Sequence, residues 1–188
     1  MSQFIFPRVD QTALLIVDIQ EKLLPTMQPA EVDKLLRNTL LLLELAKAFH
    51  WPVVYSEQYP KGLGKTEPAI LAKLEELDAV ACEKIEFSCL RNETFAKSIL
   101  PKLPPNVVVA GMEAHVCVLQ TVMDLQARGY QAFVPLDAVA SRDPANRDNG
   151  LALMSKVGAV QINTESLMFY ALQRAGTDTF RHFSKLIR

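Results

Sequence analysis

Short apolar runs rich in valine, isoleucine and alanine alternate along this chain with longer segments of helical periodicity. Such alternation predicts βαβ units, and therefore an α/β fold with a parallel sheet covered by helices on both faces. The runs predicted to form strands are 13–18, 52–57, 79–84, 106–111, 131–135 and a shorter one at 159–162. The fold class follows from this order alone.

Two helices between these strands have features of their own. The segment 30–50 contains more leucine than one buried stripe requires, which indicates either an oligomer interface or a deeply buried helix. The helical spacing that begins near Val116 is expected to end at Gly129, since glycine often terminates helices. The pattern does not choose between the two interpretations of segment 30–50.

Length, charge and cysteine content narrow the class of protein. The 188 residues fit a single domain, 1–188, and 20 basic against 21 acidic residues leave a net charge of -1. We therefore expect a small-molecule partner, with no nucleic acid and no membrane, because there is no strong field and no apolar run of about eighteen residues. Three cysteines indicate free thiols in a reducing compartment, hence a cytoplasmic location.

Three reactive side chains follow predicted strands. Asp18 ends the first run, Lys84 ends the third, and Cys117 begins a helix after the fourth. Because the carboxyl ends of parallel strands share one edge, we expect these residues to meet there. Taken singly, Asp18 could instead be a helix cap or ion-pair partner, Lys84 a solvated strand end, and Cys117 a buried apolar thiol.

Together the three residues form a chemically coherent set. A helix N-terminus and a nearby ammonium are both expected to lower the pKa of Cys117, and a carboxylate can accept the thiol proton. Attack on a carbonyl then creates an oxyanion that backbone N–H groups can bind. The set predicts acyl transfer through a thioester.

Three segments, "LLIVDIQ", "CEKIEFS" and "VVVAGMEAHVCV", resemble in order the signature segments of the isochorismatase-like cysteine hydrolases, which include nicotinamidases and N-carbamoylsarcosine amidase. The resemblance extends over nearly the whole chain. It implies a Rossmann-like three-layer sandwich with a six-stranded parallel sheet. It also implies hydrolysis of a small amide or related C–N bond, with Asp18 as general base and later acid, Lys84 as the charge-stabilising residue and Cys117 as nucleophile.

The resemblance also implies finer features of the site. It places a non-proline cis peptide at Met112–Glu113 and an oxyanion hole at the amides of Glu113 and Cys117. We expect Cys82 to lie in the strand core and Cys89 to line the pocket without attacking. The side chains predicted to contact substrate are Leu23, Gln58, Tyr59, Ser88, Met112 and His115. A helix-cap or surface role is the alternative for His115.

Departures from the family pattern bear on metal and substrate. Nicotinamidases carry an Asp-x-His and a further histidine that hold a metal, whereas the matching "YSEQYPKGLGKTEP" contains no histidine. The histidines of this chain, at 50, 115 and 182, lack zinc-ligand spacing, so we predict no metal and no cofactor. "SEQYPKGLG" resembles the isochorismatase domain-containing subgroup, which leaves the substrate unnamed.

Two other functional classes compete with a hydrolase. "YPKGLGKT" superficially resembles a phosphate loop, but Tyr59 stands where a Walker motif requires glycine, and no G-x-G-x-x-G follows the first strand. The remaining alternative is a catalytically degenerate family member that acts as an oligomeric protein-binding module. In either case we expect a homo-oligomer, a dimer or a tetramer.

Overall fold

The computed structural model describes residues 6–187 and contains one parallel sheet with helices on both sides, which confirms the predicted fold class. The strand order is β3-β2-β1-β4-β5-β7, and β6 pairs with β4 beside this path. The strands are β1 (Thr12–Val17), β2 (Val53–Gln58), β3 (Val80–Lys84), β4 (Asn106–Met112), β5 (Gln131–Pro135), β6 (Val139–Ala140) and β7 (Val160–Ile162). Each of the six predicted strands forms within a residue of its expected bounds, while the two-residue β6 was not predicted because it is too short to show a pattern.

In this part of the chain, α-helices and several tight turns connect the strands. The helices are α1 (Pro29–Phe49), α2 (Pro60–Leu63), α3 (Pro68–Glu76), α4 (Leu119–Ala127), α5 (Pro144–Lys156), α6 (Thr164–Leu172) and α7 (Asp178–Leu186). Two segments, Phe95–Ile99 and Ala114–Val118, form π-helical turns. α4 ends as predicted, since Gly129 adopts a left-handed φ of 83° just beyond it. In residues 6–187 no helix combines the length and apolarity needed to cross a membrane.

The sheet separates two hydrophobic cores because successive side chains of each strand point to opposite faces. Leu14 and Ile16 belong to the core that contains α1 and α6, whereas Leu15 and Val17 belong to the core that contains α4 and α5. Every residue of β1 is buried, as expected for a strand covered on both faces. The central strands are therefore rigid supports for whatever follows their carboxyl ends.

The leucines of helix α1 are largely buried by other parts of the same chain. Its buried side chains include Leu35, Leu41, Leu42, Leu43 and Leu45, and the helix packs on α3, α6 and β1. Of the two interpretations of this segment, the structure favours the deeply buried helix. The leucine content of α1 therefore gives no separate support to an oligomer interface or a protein-binding module.

Gly111 brings β4 unusually close to β1, immediately before the residues of interest. A Cβ atom at Gly111 would lie 2.0 Å from the Val17 carbonyl oxygen, and the φ of Gly111 is 126°. Only glycine fits both the contact and the backbone conformation. The ends of β1 and β4, and hence Asp18 and Met112, depend on this approach.

We expect Gly111→Ala to lower the free energy of unfolding by at least about 3 kcal/mol, because the new methyl group meets backbone atoms in a strained conformation. Urea unfolding measures the change. Gly129→Ala is the matched control, since Gly129 also has a positive φ but nothing lies within 4 Å of the position that a Cβ atom would take there. The control should lose only about 1 to 2 kcal/mol, and an equal loss in both variants would contradict the role given to the close approach.

Candidate active site

Asp18 and Lys84 form a buried ion pair at the carboxyl edge of the sheet. Lys84 Nζ lies 2.6 Å from Asp18 Oδ2, and neither side chain is exposed to solvent. Ser56, on the strand between them, donates from its hydroxyl to Asp18 Oδ1 at 2.7 Å. Lys84 also donates to Gln58 Oε1 at 2.8 Å. A buried pair of this kind needs such additional hydrogen bonds to offset the loss of hydration.

Strand register explains why these groups meet. β2 lies between β1 and β3, and Gln58 is paired in register with Lys84. Asp18 follows directly after β1, where its backbone adopts a φ of 51° that aspartate tolerates better than most residues. The side chains at the ends of three adjacent strands therefore converge on one point.

Cys117 lies in the turn Ala114–Val118, between β4 and α4, and is 7% exposed. The charges of Asp18 and Lys84 both act on its thiol. The Met112–Glu113 peptide that precedes this turn is cis, as the family resemblance implied. The three residues proposed from sequence are thus brought to the same region.

The electrostatics of Cys117 differ from the sequence-based prediction. Burial raises the pKa of the Cys117 thiol, and the negative charge of Asp18 raises it further. The positive charge of Lys84 offsets only part of this increase. The predicted lowering of this pKa was wrong because the sequence pattern showed the cation and the helix but not the depth of burial. In the resting protein the thiol holds its proton, and Asp18 is the adjacent group that can accept it.

The neighbouring ionisable groups also have shifted pKa values. Burial by itself would lower the pKa of Lys84, but the charge of Asp18 and its hydrogen bond to Lys84 act in the opposite direction, and the pKa is raised. Burial raises the pKa of Cys82 to about 12. Burial likewise raises the pKa of Cys89, which has no exposed surface. Lys84 therefore remains a cation, and all three cysteines are protonated near neutral pH.

Among the predicted substrate contacts, three lie near the ends of the strands with differing exposure. Gln58 is 9% exposed and hydrogen-bonds to Lys84, whereas Tyr59 is 55% exposed at the start of α2. His115 is half-buried, and its Nδ1 lies 2.9 Å from the Ser141 hydroxyl. Of these, Tyr59 has the most surface available to a ligand.

The other three predicted substrate contacts are buried or packed against the hydrophobic core. Met112 is fully buried in the core that contains α1. Ser88 is also fully buried, and its hydroxyl accepts a hydrogen bond from the Leu90 amide. Leu23 is half-buried and packs against the same core as Met112. In this structure neither Ser88 nor Met112 presents any surface to solvent.

Several residues that organise the site were not predicted from the sequence. Ser56 and Gln20 are almost entirely buried. Ser56 donates to the carboxylate of the ion pair, and Gln20 accepts from the backbone N–H of Gln58, which lies beside the ion pair. Glu113 was considered only for its amide, but its side-chain Oε2 also accepts from the Arg142 amide at 3.1 Å. The available signal was a polar residue among buried apolar ones near the carboxyl end of a predicted strand, since Ser56 lies in the second half of β2 and Gln20 lies three residues after β1.

A surface cavity of about 560 Å³ adjoins the end of β3. It is lined by Tyr59, Pro60, Lys61, Glu83, Lys84, Ile85, Glu86, Asn92, Glu93 and Thr94. Cys117 and Asp18 are not among these residues, and the Lys84 side chain has no exposed surface, so the cavity adjoins β3 without opening onto the ion pair. Among residues 6–187 there is no group of three or more histidine, cysteine or acidic side chains arranged to hold a metal ion, and independence from metal stays a prediction.

The raised pKa of Cys117 predicts how its reactivity depends on pH. Because the thiolate is the nucleophile, the rate of alkylation by iodoacetamide should rise steadily from mildly acidic to alkaline pH without levelling near neutrality. Cys117 should still be labelled before Cys82 and Cys89, since it is the most exposed of the three. Peptide mapping after limited alkylation measures both. A plateau near neutral pH would instead support the lowered pKa expected from sequence.

The fold and the sequence of this chain match a known class of enzymes. The Isochorismatase domain family matches residues 12–166, and the chain belongs to this family of isochorismatase-like hydrolases. Isochorismatase domain-containing protein 2A of Mus musculus is 30% identical over 185 residues, covering 95% of this chain and 84% of that protein. A secreted isochorismatase effector, Isc1, of Phytophthora sojae is 33% identical over 186 residues, covering 94% and 84%.

Solved structures show the same fold. The MAR1 ribonuclease of Caenorhabditis elegans superposes with a TM-score of 0.84 at 31% identity, covering 97% of this chain and 92% of that one. The YcaC gene product of Escherichia coli, described as an octameric hydrolase of unknown specificity, superposes with a TM-score of 0.82 at 22% identity, covering 100% and 97%. The cytoplasmic location stays a prediction, since one relative is named as secreted.

Proposed function

We propose that this protein hydrolyses a small amide or related C–N bond through a covalent thioester on Cys117. Family membership supports a hydrolase. The observation that carries the finer proposal is the buried ion pair of Asp18 and Lys84, 2.6 Å apart, beside a thiol that has the highest exposure of the three cysteines. A desolvated pair is costly to keep, and such pairs often mark sites of chemistry.

The first half of the reaction forms the thioester. Asp18 accepts the proton of the Cys117 thiol as the sulfur attacks the substrate carbonyl carbon. The amides of Glu113 and Cys117 stabilise the resulting oxyanion, and Lys84 keeps the local charge balanced. Asp18 then returns the proton to the leaving nitrogen, the C–N bond breaks, and the amine or ammonia departs.

The second half regenerates the enzyme. Asp18, again a carboxylate, accepts a proton from a water molecule that attacks the thioester carbonyl. The C–S bond breaks, Asp18 returns that proton to the sulfur, and the carboxylic acid leaves. The raised pKa of Cys117 fits this scheme, because a thiol that holds its proton needs the adjacent carboxylate as base. The positive charge of Lys84 opposes the rise and stabilises the thiolate when it forms and when it leaves.

The names of two structural neighbours are relevant to the oligomeric state and the substrate proposed for this chain. The octameric assembly of the Escherichia coli protein supports our proposal that this chain forms a homo-oligomer, with dimer or tetramer as the expected states. The Caenorhabditis elegans neighbour is named as a ribonuclease, but the net charge of -1 gives this chain no general attraction for RNA. We therefore retain a small molecule as the proposed substrate.

Incubation of the purified protein with a panel of small amides, followed by acid quenching and intact mass measurement, tests the proposal. We expect at least one amide to give a mass increase equal to its acyl group, located on Cys117 by peptide mapping, together with release of amine or ammonia. Cleavage of RNA without any acylation by amides would overturn it. Absence of both activities would favour the protein-binding alternative, which oligomerisation and pull-down of this chain can then address.

A further inference from the structure

The Lys84 ammonium lies in a fixed environment that water does not reach. Its side chain has no exposed surface. Among residues 6–187 it donates to two acceptors, Asp18 Oδ2 at 2.6 Å and Gln58 Oε1 at 2.8 Å. An ammonium carries three N–H groups, so the two acceptors also set the direction of the third.

The side chain and the backbone of Gln58 are both hydrogen-bonded. Its Nε2 donates to the Ile85 carbonyl at 2.8 Å, which orients the amide so that Oε1 faces Lys84. Its backbone N–H donates to Gln20 Oε1 at 2.8 Å, and its carbonyl accepts from Gln20 Nε2 at 3.1 Å. Both polar atoms of the Gln58 side chain therefore have partners already, which argues against the substrate contact expected from sequence.

Gln20 extends this arrangement to the loop that follows β2. It is fully buried, and its Nε2 also donates to the Gly64 carbonyl at 2.7 Å. Gln20 lies two residues after Asp18, so one side chain connects the end of β1 to the end of β2. Buried hydrogen bonds of this kind fix geometry more than they add net stability.

We propose that Gln58 is a positioning residue of the active site, whose side-chain carbonyl fixes the Lys84 ammonium against Asp18 and so holds the cation where its charge acts on the Cys117 thiol. This inference rests on the proposed function for its catalytic meaning, but not for its geometry. Asp18 alone would leave the ammonium free to rotate about the Asp18–Lys84 contact. Gln58 removes that freedom and keeps the cation beside the sulfur when the thiolate forms.

Gln58→Met tests the inference, because methionine matches the length of glutamine and provides no comparable acceptor. At a fixed mildly alkaline pH, we expect iodoacetamide to label Cys117 about tenfold more slowly than in the wild type. The opposite sign distinguishes a merely structural role, since loosening of the fold would speed the labelling of a buried thiol. Gln126→Leu is the control, because Gln126 lies near the far end of α4 and is half-buried.

Two further measurements keep the test decisive. Labelling of Cys89, which is fully buried, reports loss of the fold in the same digest. If Gln58→Met fails to fold, Gln58→Leu removes the same acceptor without adding a charge, and it should slow the labelling of Cys117 in the same way. Labelling of Cys117 at the wild-type rate, or faster, in a folded variant would overturn the inference.

Steady-state turnover is a separate test of the role of Gln58. For any amide that the wild type hydrolyses, Gln58→Met should lower kcat by a similar factor and leave KM little changed, because Gln58 acts through Lys84 and does not touch substrate. A rise in KM with kcat unchanged would return Gln58 to the substrate-contact role and overturn the inference. If no amide is hydrolysed but the labelling of Cys117 slows, the proposed function fails while the positioning role stands.

Discussion

Cys117→Ala is expected to remove nearly all hydrolytic turnover, by about a thousandfold or more, because nucleophile and base act as one unit. Alanine keeps the turn Ala114–Val118 and removes only the sulfur. The measurement is the steady-state rate on whichever amide acylates the wild type, with the melting temperature as a check that the fold is intact. Intact mass should show no acyl adduct in this variant.

Cys82→Ala is the matched control for the loss of a thiol. Cys82 is also almost fully buried, at 4% exposed, but lies within β3 and its thiol has a pKa raised to about 12. The control should lose some stability and little activity. Turnover that persists in Cys117→Ala would point to direct attack by water, with Asp18 as base and no covalent intermediate.

Lys84→Met is expected to lower the free energy of unfolding by about 3 to 5 kcal/mol, because it leaves Asp18 as a buried charge without its cation. Turnover should fall to near the level of Cys117→Ala at the same time. Methionine fills most of the volume of the lysine stem, so the loss is electrostatic in origin. Chemical denaturation and the steady-state rate measure the two effects.

A second variant separates charge from packing. In Asp18→Asn combined with Lys84→Met, both charges are gone, so we expect most of the lost stability to return while activity stays absent. Lys84→Met with unchanged stability would show that Asp18 and Lys84 are not the coupled buried pair seen here. Recovery of activity in the double variant would exclude Asp18 as the base.

Local patterns in the sequence determined the sheet and the place of the site. The apolar runs that end at Asp18 and Lys84 became β1 and β3, and their carboxyl ends meet at one edge as parallel strands must. The family resemblance added the cis peptide before Cys117, which the structure also has. The strands and the edge that carries the site could be predicted because strand period and the order of strands along the chain are properties of consecutive residues, whereas the cis peptide came from the resemblance alone.

Only the tertiary structure decided the electrostatics of the site and whether the leucines of α1 are buried within one chain. The pKa of Cys117 is raised where the sequence predicted a fall, and the leucines of α1 are buried within one chain. Gln58 was expected to contact substrate, yet its amide lies against Lys84 and Ile85. Depth of burial and distances between side chains from separate strands set these properties, and neither quantity is encoded in the order of neighbouring residues.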